Sequence, residues 1–239
     1  MKLFLAEGPA GTLLSTRAPF TRVPCDRLTL GAIVVVRPRP GEEAADAFAP
    51  PRAPWWRGSR GAAEPVHRWV SAPEDRQPLT TAADAAVLTL HRWPSLRRYV
   101  DLDDPGPALA TALWELAGTL LDRGRVRATL AELIGTQAEL PAGSGLVAEI
   151  AERADLARAR TARLDTAVAA QVGHLTRLAD ETEAFVERQE ALQRARSVLR
   201  DADYLVQSAP APGVPLPDAA DLADRTSAVL AAYRELTAP

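Results

Sequence analysis

The sequence predicts an α+β protein: a small β-rich N-terminal domain followed by a helical bundle or coiled-coil body with one very long helix. Three observations carry this. From Pro141 to Pro210 the chain runs 68 residues without a proline, although it holds 20 in all. Within that run Leu164, Gln171, Leu178, Phe185, Leu192, Leu199 and Val206 recur every seven residues, the repeat of a coiled-coil seam. Before residue 104, by contrast, short runs of β-branched, leucine and aromatic residues alternate with Gly and Pro, the pattern of strands and turns.

In the N-terminal domain, residues 1–103, the expected strands are 2–6, 12–16, 27–37, 66–71, 86–93 and 98–102. The strongest is Leu28-Thr29-Leu30-Gly31-Ala32-Ile33-Val34-Val35-Val36, whose continuous apolar character predicts a central strand covered on both faces. Arg37-Pro38-Arg39-Pro40-Gly41 ends it, because proline donates nothing to a ladder. Residues 38–65 lose all hydrophobic period and read as a long Pro/Trp/Arg loop.

The helical domain, residues 104–239, should hold four helices, at about 107–123, 125–139, 144–207 and 218–237. Pro107 suits a first turn, Leu109, Leu113, Leu116 and Leu120 share one face, and Gly124 reads as a terminator. Val126, Leu130, Leu133 and Ile134 mark the second helix. Ser144 is the expected N-cap of the long one, which at ~1.5 Å per residue would extend on the order of 90 Å if unbroken at Gly173. The last helix carries Leu222, Thr226, Val229, Tyr233 and Leu236 on one stripe.

Composition excludes several classes. A net charge of −3 provides no positive field for nucleic acid or anionic membrane. Arginine supplies 27 of the 28 basic residues, which fits a GC-rich bacterial source. Cys25 is alone, so neither an internal disulfide nor a thiol-rich metal site is expected. The opening apolar stretch is too short for a signal peptide and no segment approaches the ~20 residues of a membrane span, so a cytoplasmic protein is expected.

Candidate functional residues are few. Arg158, Arg160 and Arg163 form a basic band on the long helix. Asp180, Glu181, Glu183, Glu187 and Glu190 form an acidic one, the two lying on either side of Gly173. They could meet in an antiparallel pair of copies, or across a hairpin turning at Gly173. In the long loop, Trp55, Trp56 and Arg57 form an aromatic and cationic cluster suited to anchoring a partner. His-Arg-Trp occurs twice, at 67–69 and 91–93. On two adjacent strands these would bring two imidazoles together, the basis of an alternative reading as an enzyme or metal-binding protein. A nucleic-acid accessory protein using the Trp-Arg loop is a second alternative.

No nucleophile elbow, phosphate loop or dinucleotide fingerprint is present. Catalytic, cofactor and metal residues are therefore assigned to none. The leading expectation is a non-enzymatic adaptor or assembly component, acting on protein partners or on itself through its long helix.

Overall fold

The computed structural model describes residues 1–19, 21, 23–39, 48, 66–97, 99, 100, 104–141, 144–208 and 224–227. The architecture is a small five-stranded sheet followed by a mostly helical body with one long helix. Strands β1 (Leu3–Gly8), β2 (Gly11–Ser15), β3 (Cys25–Leu30), β4 (Ile33–Pro38) and β5 (His67–Val70) lie in the order β3-β4-β1-β2-β5. Helices α1 (Pro73–Leu96), α2 (Gly106–Glu139) and α3 (Gly145–Ser208) follow. The chain divides into two compact units, Met1–Glu187 and Arg188–Pro239.

Within the first unit the sheet is mixed: β1 pairs antiparallel with β2 and parallel with β4, while β3–β4 and β2–β5 are antiparallel. The long strand expected over 27–37 is in fact a hairpin. Leu30 pairs with Ile33 across Gly31-Ala32, and Gly31 adopts φ 54°, a left-handed conformation that glycine reaches without steric cost. Apolar continuity concealed the turn, because both turn residues are small and neither is polar.

Period-two alternation splits β4 between two cores. Ile33 and Val35 join Leu3, Leu5, Leu14 and Val70 against the helices, whereas Val34 and Val36 join Ala6, Leu13 and Phe48 on the opposite face. Coverage on both sides is why Ile33–Val36 is apolar without interruption.

Residues 86–93, expected as a strand, belong to α1, and so does the second His-Arg-Trp. Residues 86–93 have the strand-like signature of β-branched, leucine and aromatic residues bounded by a proline. The deciding signal is the helical spacing of Leu79, Ala82, Ala83, Ala86 and Leu90, all buried. Residues 99 and 100, expected as part of a strand over 98–102, lie in a turn. Helices 107–123 and 125–139 are one helix, α2, which runs through Gly124. A glycine costs a helix only ~1 kcal/mol, and a Cβ at Gly124 would stand 3.4 Å from the Asp75 carboxylate.

The helices are pinned to the sheet at its turns. Arg76, in the first turns of α1, donates to the carbonyls of Pro9 (2.9 Å) and Gly8 (3.0 Å) at the β1–β2 turn. Asp104, just before the Pro105 N-cap of α2, accepts from the Gly106 N–H at 2.8 Å. The start of α2 packs on the β3–β4 turn, where a Cβ on Gly106 would stand 2.8 Å from the Ala32 nitrogen. The expected leucine face of α2, Leu109, Leu113, Leu116 and Leu120, is buried. Helix α3 begins at the expected Ser144, whose Oγ accepts from the Leu146 N–H at 3.3 Å, and continues through Gly173. The hairpin reading of α3 is therefore overturned. Of the last expected helix, only residues 224–227 are described, and they are helical and exposed; the rest of its stripe lies outside the described residues.

Candidate functional site

The buried residues of α3 are Ala154, Val168, Leu175, Ala179, Thr182 and Val186; half-buried Ala157, Thr161, Asp165 and Val172 stand between them on the same row, and half-buried Gln189 follows. Alternating steps of three and four make this a seven-residue seam. Val168, Leu175 and Ala179 complete the core shared by the sheet, α1 and α2. The expected seam lies one row round the helix. Leu164, Gln171 and Phe185 are half-buried, while Leu178, Leu192, Leu199 and Val206 are exposed. The expected seam follows the largest side chains, whereas apart from Leu175 the fully buried residues of the row are alanine, threonine and valine. Small residues there let a helix approach its neighbours closely.

Charged residues bind the three helices of the first unit at two places. At the first, Arg123 of α2 sits with its side chain 7% exposed against Asp75 of α1 at 6%, donating from Nε at 2.8 Å. It also donates to Asp165 of α3 at 3.1 Å and to the Glu74 carbonyl at 3.0 Å. Arg127 reaches Asp165 at 2.9 Å. Beside this network an open groove of about 560 Å³ runs between Pro78 and Thr81 on one side and Val168, Val172 and Gly173 on the other. Of its charged residues Glu74, Arg123 and Asp165, the last two bond each other. At the second place, Arg92 of α1 meets Glu183 of α3 at 3.4 Å, and Tyr99 stacks edge-on against Phe185 at 5.2 Å.

The bands expected to face each other do not meet within the chain. Arg158 turns to Asp155 on its own helix, and Arg160 and Arg163 are exposed. In the acidic band Glu183 pairs with Arg92, whereas Glu187 and Glu190 are exposed. Trp55, Trp56 and Arg57 lie outside the described residues.

The two His-Arg-Trp segments do not form a pair of strands. His67 and Trp69 are on β5, but His91 and Trp93 are on α1, where residues two apart point about 200° from each other. The enzyme or metal reading built on paired strands loses its geometric basis. Among the described residues no group of three or more His, Cys, Asp or Glu is placed to hold a metal ion. Arg68 instead stacks on the ring of Trp114 in α2, 4.2 Å from its centroid, and bonds the Trp114 carbonyl. Gly118 makes room for it, since a Cβ there would meet the guanidinium at 2.5 Å.

A second open groove, of about 430 Å³, lies beside Glu7, Arg37 and Arg76. Arg37 donates to Glu7 at 2.8 Å, and Arg76 is bonded to the β1–β2 turn as described. Neither groove presents a nucleophile beside a base, the minimum for covalent or acid–base chemistry.

The surface that stands apart is the last part of α3. Every residue from Glu190 to Gln207 is exposed, including Leu192, Val198, Leu199, Tyr204, Leu205 and Val206. The heptad positions that carried the buried seam continue here as Gln193, Arg196, Arg200, Asp203 and Gln207. The apolar stripe has moved to Leu192, Ala195, Leu199, Ala202 and Val206, with Val198 and Leu205 alongside. The sequence marked three of these seven through their seven-residue spacing. It did not mark the other four, whose signal is the accompanying step of three and four. Among the described residues no helix is long and apolar enough to cross a membrane. Comparison with protein-family models, with curated proteins and with solved structures finds no match for this chain.

Proposed function

We propose that this chain is a non-enzymatic adaptor or assembly component that works through protein contacts of its long helix, specifically through residues 190–207. One observation supports this above the others. Over about four turns α3 carries an apolar stripe at seven-residue spacing that is left in solvent, Val206 at 77% and Leu199 at 63% exposure. Contiguous exposed apolar surface of this kind marks an interaction site in soluble proteins. An amphipathic helix is bound through an i, i+3, i+4, i+7 row of anchors.

The sheet, α1 and α2 then serve as the folded base to which the contact helix belongs. The exposed carboxylates Glu187 and Glu190 border the stripe at its start and favour a partner with basic residues there; such charges set register and partner choice more than affinity.

The reading is tested by replacing Leu192, Leu199 and Val206 together with glutamate in the full chain. Because all three side chains are exposed, the melting temperature should stay within a degree or two of the parent's, while cross-linking to proteins in the source cells should be lost. Unchanged cross-linking by the triple variant would overturn the assignment of function to this helix.

A further inference from the structure

We infer that the stripe at residues 192–206 pairs antiparallel with the same stripe of a second copy of this chain. The inference rests on the preceding reading and names the partner. Its ground is the match between the two flanks of the stripe. With Leu192, Leu199 and Val206 as one core row and Ala195 and Ala202 as the other, Arg196 and Asp203 stand on one flank, and Val198 and Leu205 on the other.

In a parallel pair, opposite flanks meet. Arg196 would then face Ala191 of the second copy and Asp203 would face its Val198, so each charge would be placed against an apolar side chain. In an antiparallel pair each flank meets its own kind. Setting Leu199 opposite Ala202 of the second copy places Ala195 opposite Val206. The same register puts Arg196 opposite Asp203 and Val198 opposite Leu205. By symmetry each of these contacts occurs twice. One register therefore gives two ion pairs on one side and two apolar pairs on the other, and no charge of these flanks is left facing an apolar neighbour.

Shape supports the same arrangement. Alanines at 195 and 202 opposite valine and leucine alternate small with large across the core, which lets the two helices interdigitate.

The experiment uses the full chain with Cys25→Ser, carrying either Leu199→Cys or Ala202→Cys. Antiparallel pairing brings position 199 of one copy to 202 of the other. A mixture of the two single variants should form a disulfide-linked dimer on mild oxidation, and neither variant alone should do so efficiently. Light scattering of the unmodified chain should show a concentration-dependent dimer. In it Arg196→Glu should weaken association by roughly tenfold, and Arg196→Glu combined with Asp203→Arg should restore it.

Cross-linking of Leu199→Cys with itself would overturn the antiparallel register. A chain that stays monomeric at every concentration would overturn self-pairing altogether. If that monomer still contacts another protein through Leu192, Leu199 and Val206, only the identity of the partner is lost. If the triple glutamate variant also leaves all contacts unchanged, the functional reading falls with it.

Discussion

Arg123 takes the carbonyl that Pro78 cannot reach. In an unbroken helix the N–H of residue 78 would bond the carbonyl of Glu74, but proline has no N–H. The guanidinium of Arg123 fills that vacancy at 3.0 Å, while its Nε bonds Asp75 at 2.8 Å and its other nitrogen Asp165 at 3.1 Å. A helix breaker inside α1 is thus tolerated because α2 supplies the missing donor, and α3 joins through the same side chain.

Arg123→Met should consequently be among the most damaging single changes. It leaves the buried Asp75 carboxylate with only Arg127, 3.9 Å away, and reopens the Glu74 carbonyl; breaking a buried pair from one side costs ~3–5 kcal/mol. Urea unfolding checks this. Adding Asp75→Leu should recover part of the loss, since no buried charge then remains unpaired. If Arg123→Met unfolds at the parent's urea midpoint, the network does not hold the helices together.

Two glycines should respond in opposite directions. At Gly173 nothing lies within 4 Å of a built Cβ, so Gly173→Ala should stabilise α3 by up to ~1 kcal/mol. At Gly11 a Cβ would meet the Trp69 ring at 2.6 Å and the Val70 carbonyl at 2.8 Å. Backbone of the paired strand cannot step aside, so Gly11→Ala should cost ~1–3 kcal/mol. Thermal melting of the two variants reads the contrast directly.

Which parts of this fold the sequence disclosed follows from where each signal resides. Helix α3 was legible because its evidence is local: no proline, a seven-residue repeat and a serine cap. Helix α1 was not, because Pro78 and Pro94 argue against a helix locally and the compensation for Pro78 comes from residue 123. The break at Gly31 hid for the opposite reason, since nothing polar marks it. For the contact surface, the repeat was visible but its meaning was not. Leu164 to Val206 is one repeat in sequence, yet its first part borders a buried row of small residues and its last part lies in solvent. Only the packing of Val168, Leu175 and Ala179 against the sheet and helices separates the two. Glu183 stands in the sequence within an acidic band, whereas its partner Arg92 lies 91 residues away.

Cys25 should react slowly for an accessible thiol. Burial against the sheet raises its pKa above the ordinary cysteine value, with Arg27 and Thr21 opposing that shift only in part. Its Sγ also donates to the Val23 carbonyl at 3.2 Å. A raised pKa means less thiolate at a given pH, so alkylation near pH 8 should lag behind that of the unfolded chain. The lag should close as pH rises through the folded value. The stability linked to this group is present below the unfolded pKa and is lost as pH rises past the folded one. Equal alkylation rates in native buffer and in denaturant at pH 8 would contradict the shift.

Charge reversal along α3 should separate structural from contact roles. Glu183→Arg replaces the carboxylate 3.4 Å from Arg92 with a like charge. Both side chains are about one-third or more exposed, 35% and 40%, so solvent screens the pair and the loss should stay at or below ~1 kcal/mol. Adding Arg92→Glu should return the melting point toward that of the parent. Reversing Arg158, Arg160 and Arg163 to glutamate instead should give no such recovery, because Arg158 is engaged with Asp155 and its two neighbours face solvent. Glu187→Arg and Glu190→Arg, at exposed positions bordering the stripe, should leave melting unchanged and alter only what the helix binds. If either of those two variants melts several degrees lower, its carboxylate is part of the fold and not of the contact surface.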